Sequence, residues 1–184
     1  MKELSIIILT ATLFMACKNK LHTMEETTFK AEKVTRTATI SLKGNINTVF
    51  PLFGAFEERK WAEGWNPTLI YPSTEIIEEG TTFKTEGYND ELEFLWRVSR
   101  YEPENYLIQY LVSTENRYWT ITIKCKPVTE GQVLAEVTYT FIGLNELGNK
   151  LNEHSIQRMY KNNLLDWEEE INFFLINGML KTSK

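Results

Sequence analysis

The stretch HSIQRMYKNNLLDWEEEINFFLIN, residues 154–177, decides the fold expected for this chain of 184 residues. Its large apolar side chains recur at the spacing of one helix face: Ile156, Met159, Tyr160, Leu164, Trp167, Ile171, Phe174 and Leu175. Polar residues such as Glu168 and Asn172 fall on the other faces, and Gly178 stands where a left-handed cap ends a helix. The pattern predicts one long amphipathic helix over 154–177, with one face buried against another layer.

Upstream of this helix, apolar and polar residues alternate in short segments, which predicts strands. The first strand covers residues 38–42 and ends at Gly44. The further strand candidates are 68–71, 74–77, 81–86, 91–101, 106–113, 118–126 and 132–142. Short links favour antiparallel neighbours. In several of these strands the apolar residues occupy alternate positions throughout, as in Leu92, Phe94, Trp96 and Val98, which predicts one buried sheet face.

Two short helices are expected between the first strand and the rest of the sheet. Asn45 or Asn47 caps a helix that runs through Phe53, with Pro51 in its first turn. Residues 57–63 form a second helical turn, which ends at Asn66-Pro67 because a residue before proline avoids helical geometry. The predicted class is α+β: a curved antiparallel sheet of six to seven strands that wraps around a long C-terminal helix.

Composition argues against several classes of function. The chain has 20 basic and 25 acidic residues and a net charge of -5, so it would repel a nucleic-acid backbone. His154 is expected to be exposed, and without a second histidine or a cysteine pair in the domain we expect no metal site. No phosphate-binding loop or nucleophile motif is present, and no cofactor is expected.

The acidic clusters and the cysteine of the domain are also better explained by structural roles than by catalysis. Cys125 alternates with apolar residues and is expected to be a buried, inert thiol. The carboxylates Asp90, Glu91 and Glu93 are explained by a solvated hairpin end, and residues 168–170 by the wet face of a helix. None of these groups predicts acid–base catalysis.

The first 17 residues differ in character from the rest. A basic Lys2 precedes an apolar run of 13 residues, 4–16, which is too short to span a bilayer, since a spanning helix needs about 20 residues. The run is typical of an export signal and resembles a bacterial lipoprotein signal, with Cys17 as the lipid attachment site, although Phe14 and Met15 depart from the usual residues. We therefore expect a signal peptide over 1–16, a tether over 17–35, one domain over 36–184, and a lipid-anchored protein of the cell envelope. The alternative is translation from Met24 and a cytoplasmic protein.

The order of elements resembles that of the START-like superfamily, also called SRPBCC, which includes polyketide cyclases and dehydrases, lipid-transfer domains and plant allergens. Four segments carry the resemblance: INTVFPLFGAFEERKWAEGWNP at 46–67, LWRVSRYEPENYLIQY at 95–110, LNELGNKLN at 144–152 and LLDWEEEINFFL at 164–175. The resemblance implies a helix-grip fold, in which the sheet grips the long helix and leaves an apolar cavity for a hydrophobic small molecule.

Trp61 and Trp65 lie four residues apart and share a helix face, at the corner where such folds open their cavity. Packing alone also accounts for both rings, because a buried indole stabilises a core by itself. The candidate ligand-binding residues are Trp61, Trp65, Trp96, Arg100, Tyr110, Trp119, Tyr139, Met159, Tyr160 and Trp167. Arg100, Tyr110 and Tyr160 are the expected polar anchors.

Three functions remain open. The first is binding of a lipid, sterol or aromatic compound, with the membrane as a second partner through Cys17. The second is a cyclase-like or dehydrase-like enzyme, in which Tyr110 and Arg100 polarise a carbonyl group. The third, implied by the resemblance, is protein binding of the kind found in activators of a chaperone ATPase.

Overall fold

The computed structural model describes residues 28–88 and 91–182. Seven strands form one antiparallel sheet in the order β1-β7-β6-β5-β4-β3-β2. The strands are β1 (Lys33–Lys43), β2 (Thr68–Tyr71), β3 (Thr82–Glu86), β4 (Glu93–Glu102), β5 (Leu107–Ser113), β6 (Arg117–Thr129) and β7 (Gln132–Gly143). The helices are α1 (Ile46–Val49), α2 (Glu146–Met159) and α3 (Leu165–Asn177), with 3₁₀ turns at Phe50–Phe53, Glu57–Lys60 and Pro103–Asn105. The predicted α+β architecture is confirmed.

Three details of the predicted sheet are corrected. Residues 74–77 form no strand and lie in the connection between β2 and β3. The sheet begins at Lys33, because residues 33–35 of the expected tether pair with residues 140–142 of β7. Leu92 precedes β4 and is 95% exposed. The alternating inward-facing side chains of that strand therefore begin at Phe94.

The predicted long helix is two helices. α2 begins at Glu146, where the Asn145 side chain accepts a hydrogen bond from the Gly148 amide at 2.8 Å. Asn163 and Leu164 then adopt left-handed backbone angles, with φ of 54° and 61°, which interrupt the helix before α3. All eight residues of the apolar stripe nevertheless pack against the core, so the predicted face is confirmed and the predicted continuity is wrong.

The core lies between the sheet and the helices, as the apolar parity predicts. Leu42, Val98, Val133 and Ile171 are fully buried there. Cys125 is also buried, and burial raises the pKa of its thiol to about 12, which agrees with the inert role expected for it. His154 is exposed, as expected. Among the residues that the structure describes, no helix is long and apolar enough to cross a membrane.

Helix α3 closes part of the free edge of β1. The Glu168 carboxylate accepts a hydrogen bond from the Ser41 amide at 2.7 Å. One turn later, the Asn172 side chain accepts from the Lys43 amide at 2.7 Å and donates to the Ser41 carbonyl at 2.9 Å. Glu168 and Asn172 therefore bind an edge strand, which corrects the expectation that Glu168 lies on the wet face of the helix.

Glu91 is buried in an ion pair and does not belong to a solvated hairpin end. Its carboxylate accepts from the Arg117 Nε atom at 3.0 and 3.1 Å and from the Thr114 hydroxyl at 2.7 Å. The Arg117 guanidinium also donates to the Ser155 hydroxyl at 2.8 Å. The side chains of Glu91 and Arg117 are 2% and 0% exposed, so this cluster ties β6 to α2 inside the protein.

Candidate functional site

A cavity of about 540 Å³ lies between the inner face of the sheet and the helices. Its wall includes residues 61–66, which follow the 3₁₀ turn Glu57–Lys60, and the end of β3 at Thr85 and Glu86. Met159 at the end of α2 and Trp167 on α3 complete the wall opposite the sheet. The volume falls within the range of about 300 to 1,000 Å³ that is usual for small-molecule sites.

Aromatic side chains dominate the cavity wall. They are Trp61, Trp65, Tyr88, Phe94, Trp96, Tyr110, Trp119, Tyr139, Phe141 and Trp167. The rings brace one another edge to face, with centroid distances of 5.3 Å for Trp65 and Trp96 and 5.4 Å for Trp61 and Trp167. These mutual contacts fix the rings in place, so the cavity is already formed without a ligand.

The sheet and helices bring eight of the ten predicted ligand-binding residues to this cavity: Trp61, Trp65, Trp96, Tyr110, Trp119, Tyr139, Met159 and Trp167. They meet because the inward positions of β4, β5, β6 and β7 face the same side as the apolar stripe of the helices. The remaining two predicted residues lie elsewhere.

Arg100 and Tyr160 do not line the cavity, which corrects their expected role as anchors. The Arg100 side chain is 52% exposed and pairs with Glu102, with the Nε and Oε1 atoms 2.5 Å apart. The Tyr160 hydroxyl donates to the backbone carbonyls of Arg36 at 2.9 Å and Val137 at 3.2 Å. Both polar groups therefore serve local structure.

The polar atoms of three wall residues hold the segment that follows α1. The indole nitrogen of Trp61 donates to the Leu52 carbonyl at 2.8 Å, and that of Trp65 donates to the Ala55 carbonyl at 2.5 Å. The Tyr110 hydroxyl donates to the Phe53 carbonyl at 2.8 Å. Both tryptophans are thus packing residues and cavity-wall residues at once. The Tyr110 hydroxyl is engaged with backbone, so its ring presents mainly apolar surface.

Glu58 is a cavity residue that the sequence did not reveal. It lies in the charged run EERK, residues 57–60, a pattern typical of a solvated surface. The 3₁₀ turn over these residues points the Glu58 side chain inward, and the residue is only 9% exposed. Burial raises the pKa of its carboxyl group well above the usual value. Within the described part of the chain, the Glu58 side chain makes no hydrogen bond.

Two tyrosines of the wall lie close enough to Glu58 for its charge to affect their pKa values. Burial is the main cause that raises the pKa of Tyr110 and of Tyr139, and the Glu58 charge raises both further. The Tyr139 hydroxyl makes no hydrogen bond among the described residues, although the ring is only 4% exposed. Glu58 and Tyr139 are therefore buried polar groups of the cavity wall whose side chains form no hydrogen bond with other described residues.

The charged residues of the cavity wall are all acidic. Glu63, Glu86, Asp166 and Glu170 line it together with Glu58, and no lysine, arginine or histidine of the described residues does so. The pKa of Glu170 is raised by burial first and then by the charge of Asp166, with smaller contributions from Glu63 and Glu169. Lys181 opposes that shift. Over residues 28–88 and 91–182, no group of three or more potential ligands is arranged to hold a metal ion.

Comparison with known proteins identifies the fold. No protein-family model matches the chain, and no curated protein matches it. Truncated norcoclaurine synthase from Thalictrum flavum superposes with a TM-score of 0.61 at 11% identity, covering 80% of this chain and 96% of that chain. An aromatase/cyclase, Zhui, from Streptomyces sp. R1128 has a TM-score of 0.61 at 8% identity, with 80% and 98% covered. Ara h 8.0201 has a TM-score of 0.52 at 13% identity, with 71% and 94% covered. The chain shares the fold of these structures, and this agrees with the helix-grip fold that the sequence resemblance predicted.

Proposed function

We propose that this protein binds a hydrophobic small molecule, such as a lipid, sterol or aromatic compound, in the cavity between sheet and helices. The observation that carries the proposal is a preformed space of about 540 Å³ within a wall of aromatic rings. The space is partly open to solvent, so an apolar ligand that enters it covers the aromatic faces and removes them from water.

The fold comparison supports the same function. Two of the similar structures are named as a synthase and an aromatase/cyclase, so the fold also occurs in proteins that act on small molecules. Binding is better supported here than a reaction, because the residues expected to polarise a carbonyl are engaged elsewhere. The Tyr110 hydroxyl bonds to the Phe53 carbonyl, and Arg100 lies outside the cavity.

The cellular setting is part of the proposal. Attachment of lipid at Cys17 would hold the domain at the bacterial envelope, near the hydrophobic molecules that it binds. Cys17 and the whole stretch 1–27 lie outside the described residues, so this setting rests on the sequence pattern alone.

A neutral fluorescent probe tests the binding proposal directly. N-phenyl-1-naphthylamine should quench tryptophan fluorescence and gain emission, because tryptophans form much of the wall. Ile121→Trp fills the cavity from β6, and Lys124→Trp adds the same ring to the opposite face of that strand. We expect the first variant to bind the probe at least about tenfold more weakly and the second to bind it normally.

Unfolding curves must show that both variants are folded. If Ile121→Trp does not fold, Ile123→Phe tests the same wall with a smaller addition. Equal probe affinity in the filled variant and the control would show that the probe binds elsewhere. Absence of binding to the unmodified protein, by this probe and by lipids and sterols, would contradict the proposed function.

A further inference from the structure

The charge and the ring faces of the cavity wall favour one class of ligand. Five carboxyl groups and ten aromatic rings line the cavity, and no basic side chain of the described residues accompanies them. The face of an aromatic ring carries negative potential, so rings and carboxylates act in the same direction. Phosphate or carboxylate groups would be repelled from this cavity, whereas an ammonium group would be attracted.

Glu58 supplies the independent evidence for a ligand charge. The residue is only 9% exposed, lines the cavity, and its carboxyl group lacks a hydrogen-bond partner among the described residues. Buried carboxyl groups normally have partners, as Glu91 has Arg117. A partner for Glu58 must therefore come from the cavity itself.

We propose that the ligand is a cation, an amine or quaternary ammonium group joined to an apolar or aromatic body, with Glu58 as its counter-ion. This inference rests on the proposed function and specifies the ligand class of the same site. The ammonium group lies beside Glu58 against the faces of the wall rings, and the apolar body fills the remaining space.

Among the described residues, one buried basic group, Arg117, lies behind this wall, and it does not oppose the inference. The Arg117 guanidinium lies against the rings of Trp119 and Phe141, 5.0 and 5.8 Å from their centroids. Its charge is balanced by the Glu91 carboxylate. Asp166 and Glu170 also line this cavity, and a bound cation relieves their mutual repulsion, which Lys181 offsets in part from outside the cavity wall.

Cation binding is coupled to release of a proton. In the empty cavity burial favours the neutral carboxylic acid of Glu58, and an adjacent ammonium group favours the carboxylate. The proton of Glu58 passes to solvent as the ion pair forms, so affinity rises with pH until Glu58 is already ionised in the free protein. The groups that face Glu58 are Tyr110 and Tyr139, whose raised pKa values keep them neutral over this range.

An isosteric pair of probes tests the inference. Benzyltrimethylammonium and neopentylbenzene have the same shape, and only the first is charged. We expect the cation to bind about tenfold more tightly at neutral pH, since a desolvated ammonium–ring contact and an ion pair both favour it. Calorimetry in two buffers of different ionisation enthalpy should show proton release for the cation alone.

Glu58→Gln keeps the size of the side chain and removes its charge. We expect this variant to lose about tenfold in affinity for benzyltrimethylammonium and to lose the pH dependence. Glu104→Gln, on an exposed turn outside the cavity, is the matched control and should bind as the unmodified protein does. Proton release in the unmodified protein provides a second readout if Glu58→Gln is poorly folded.

The outcomes separate this inference from the proposed function. Equal or tighter binding of neopentylbenzene, or cation binding without proton release, overturns the cation inference and leaves hydrophobic binding intact. Failure of both probes and of N-phenyl-1-naphthylamine overturns the proposed function as well.

Discussion

Glu58 and Glu91 are both buried carboxyl groups, and they differ in what surrounds them. Glu91 accepts hydrogen bonds from Arg117 and from Thr114, so its negative charge is balanced inside the protein. Glu58 has no such partner within the described residues and lines a cavity. The first arrangement is structural, and the second leaves a polar group for a ligand.

Removing the charge of Glu91 should destabilise the protein strongly. Glu91→Gln leaves the Arg117 guanidinium buried without a counter-charge, which typically costs about 3 to 5 kcal/mol. Glu93→Gln is the control, because the Glu93 side chain is 57% exposed and its pair with Lys84 is screened by water. That variant should change the free energy of unfolding by less than about 1 kcal/mol. Urea denaturation followed by tryptophan fluorescence measures both, and similar losses in the two variants would contradict the structural role of the buried pair.

Between α2 and α3, Asn163 is one of the two residues, with Leu164, whose left-handed backbone separates the helices. A β-branched side chain is strained there, so Asn163→Val should lower the free energy of unfolding by roughly 1 to 2 kcal/mol. Asn163→Gly should not lower it, because glycine adopts this conformation without strain. Asn162→Val tests the effect of valine at the adjacent exposed position, where φ is not positive. Chemical denaturation of the three variants checks the order, and a stabilising effect of Asn163→Val would contradict the observed helix break.

The elements show what periodicity predicts and what it misses. The strands and the inward face of the helices follow from apolar spacing, which depends only on local side-chain direction. The sequence did not predict the break between α2 and α3, because Tyr160 and Leu164 keep a helical spacing of four across it. Spacing records which side chains face the core, and both remain buried although the backbone between them leaves the helix.

For the molecule as a whole, the cavity wall was more predictable than its polar groups. Strand parity predicted four residues of the wall, Trp96, Tyr110, Trp119 and Tyr139, because inward side chains of the sheet meet the same space. The spacing of four at Trp61 and Trp65 and the apolar stripe of the C-terminal helix predicted the other four. Two of the three expected anchors, Arg100 and Tyr160, lie outside the cavity, because a polar atom bonds to whatever the tertiary structure places beside it, as Tyr160 does with Arg36 and Val137. Glu91 likewise finds Arg117, which lies 26 residues away in sequence.

Lipid attachment is a prediction for the whole chain in its cell. Growth with an alkyne-bearing fatty acid should label the unmodified protein and leave Cys17→Ala unlabelled, because Cys17 is the expected acylation site. Cys125→Ala is the control and should keep the label, since the Cys125 thiol is buried in the core. An unlabelled protein whose first residue is Met24 by mass spectrometry would instead favour the cytoplasmic alternative.

The contact of α3 with the margin of β1 has a consequence for behaviour in concentrated solution. An outermost strand with free amide and carbonyl groups is a template on which another molecule can add a strand and begin a fibril. Glu168 and Asn172 occupy those groups at Ser41 and Lys43. The helix that shapes the cavity therefore also covers this end of the edge, and loosening it would leave the groups of Ser41 and Lys43 free to pair with another molecule.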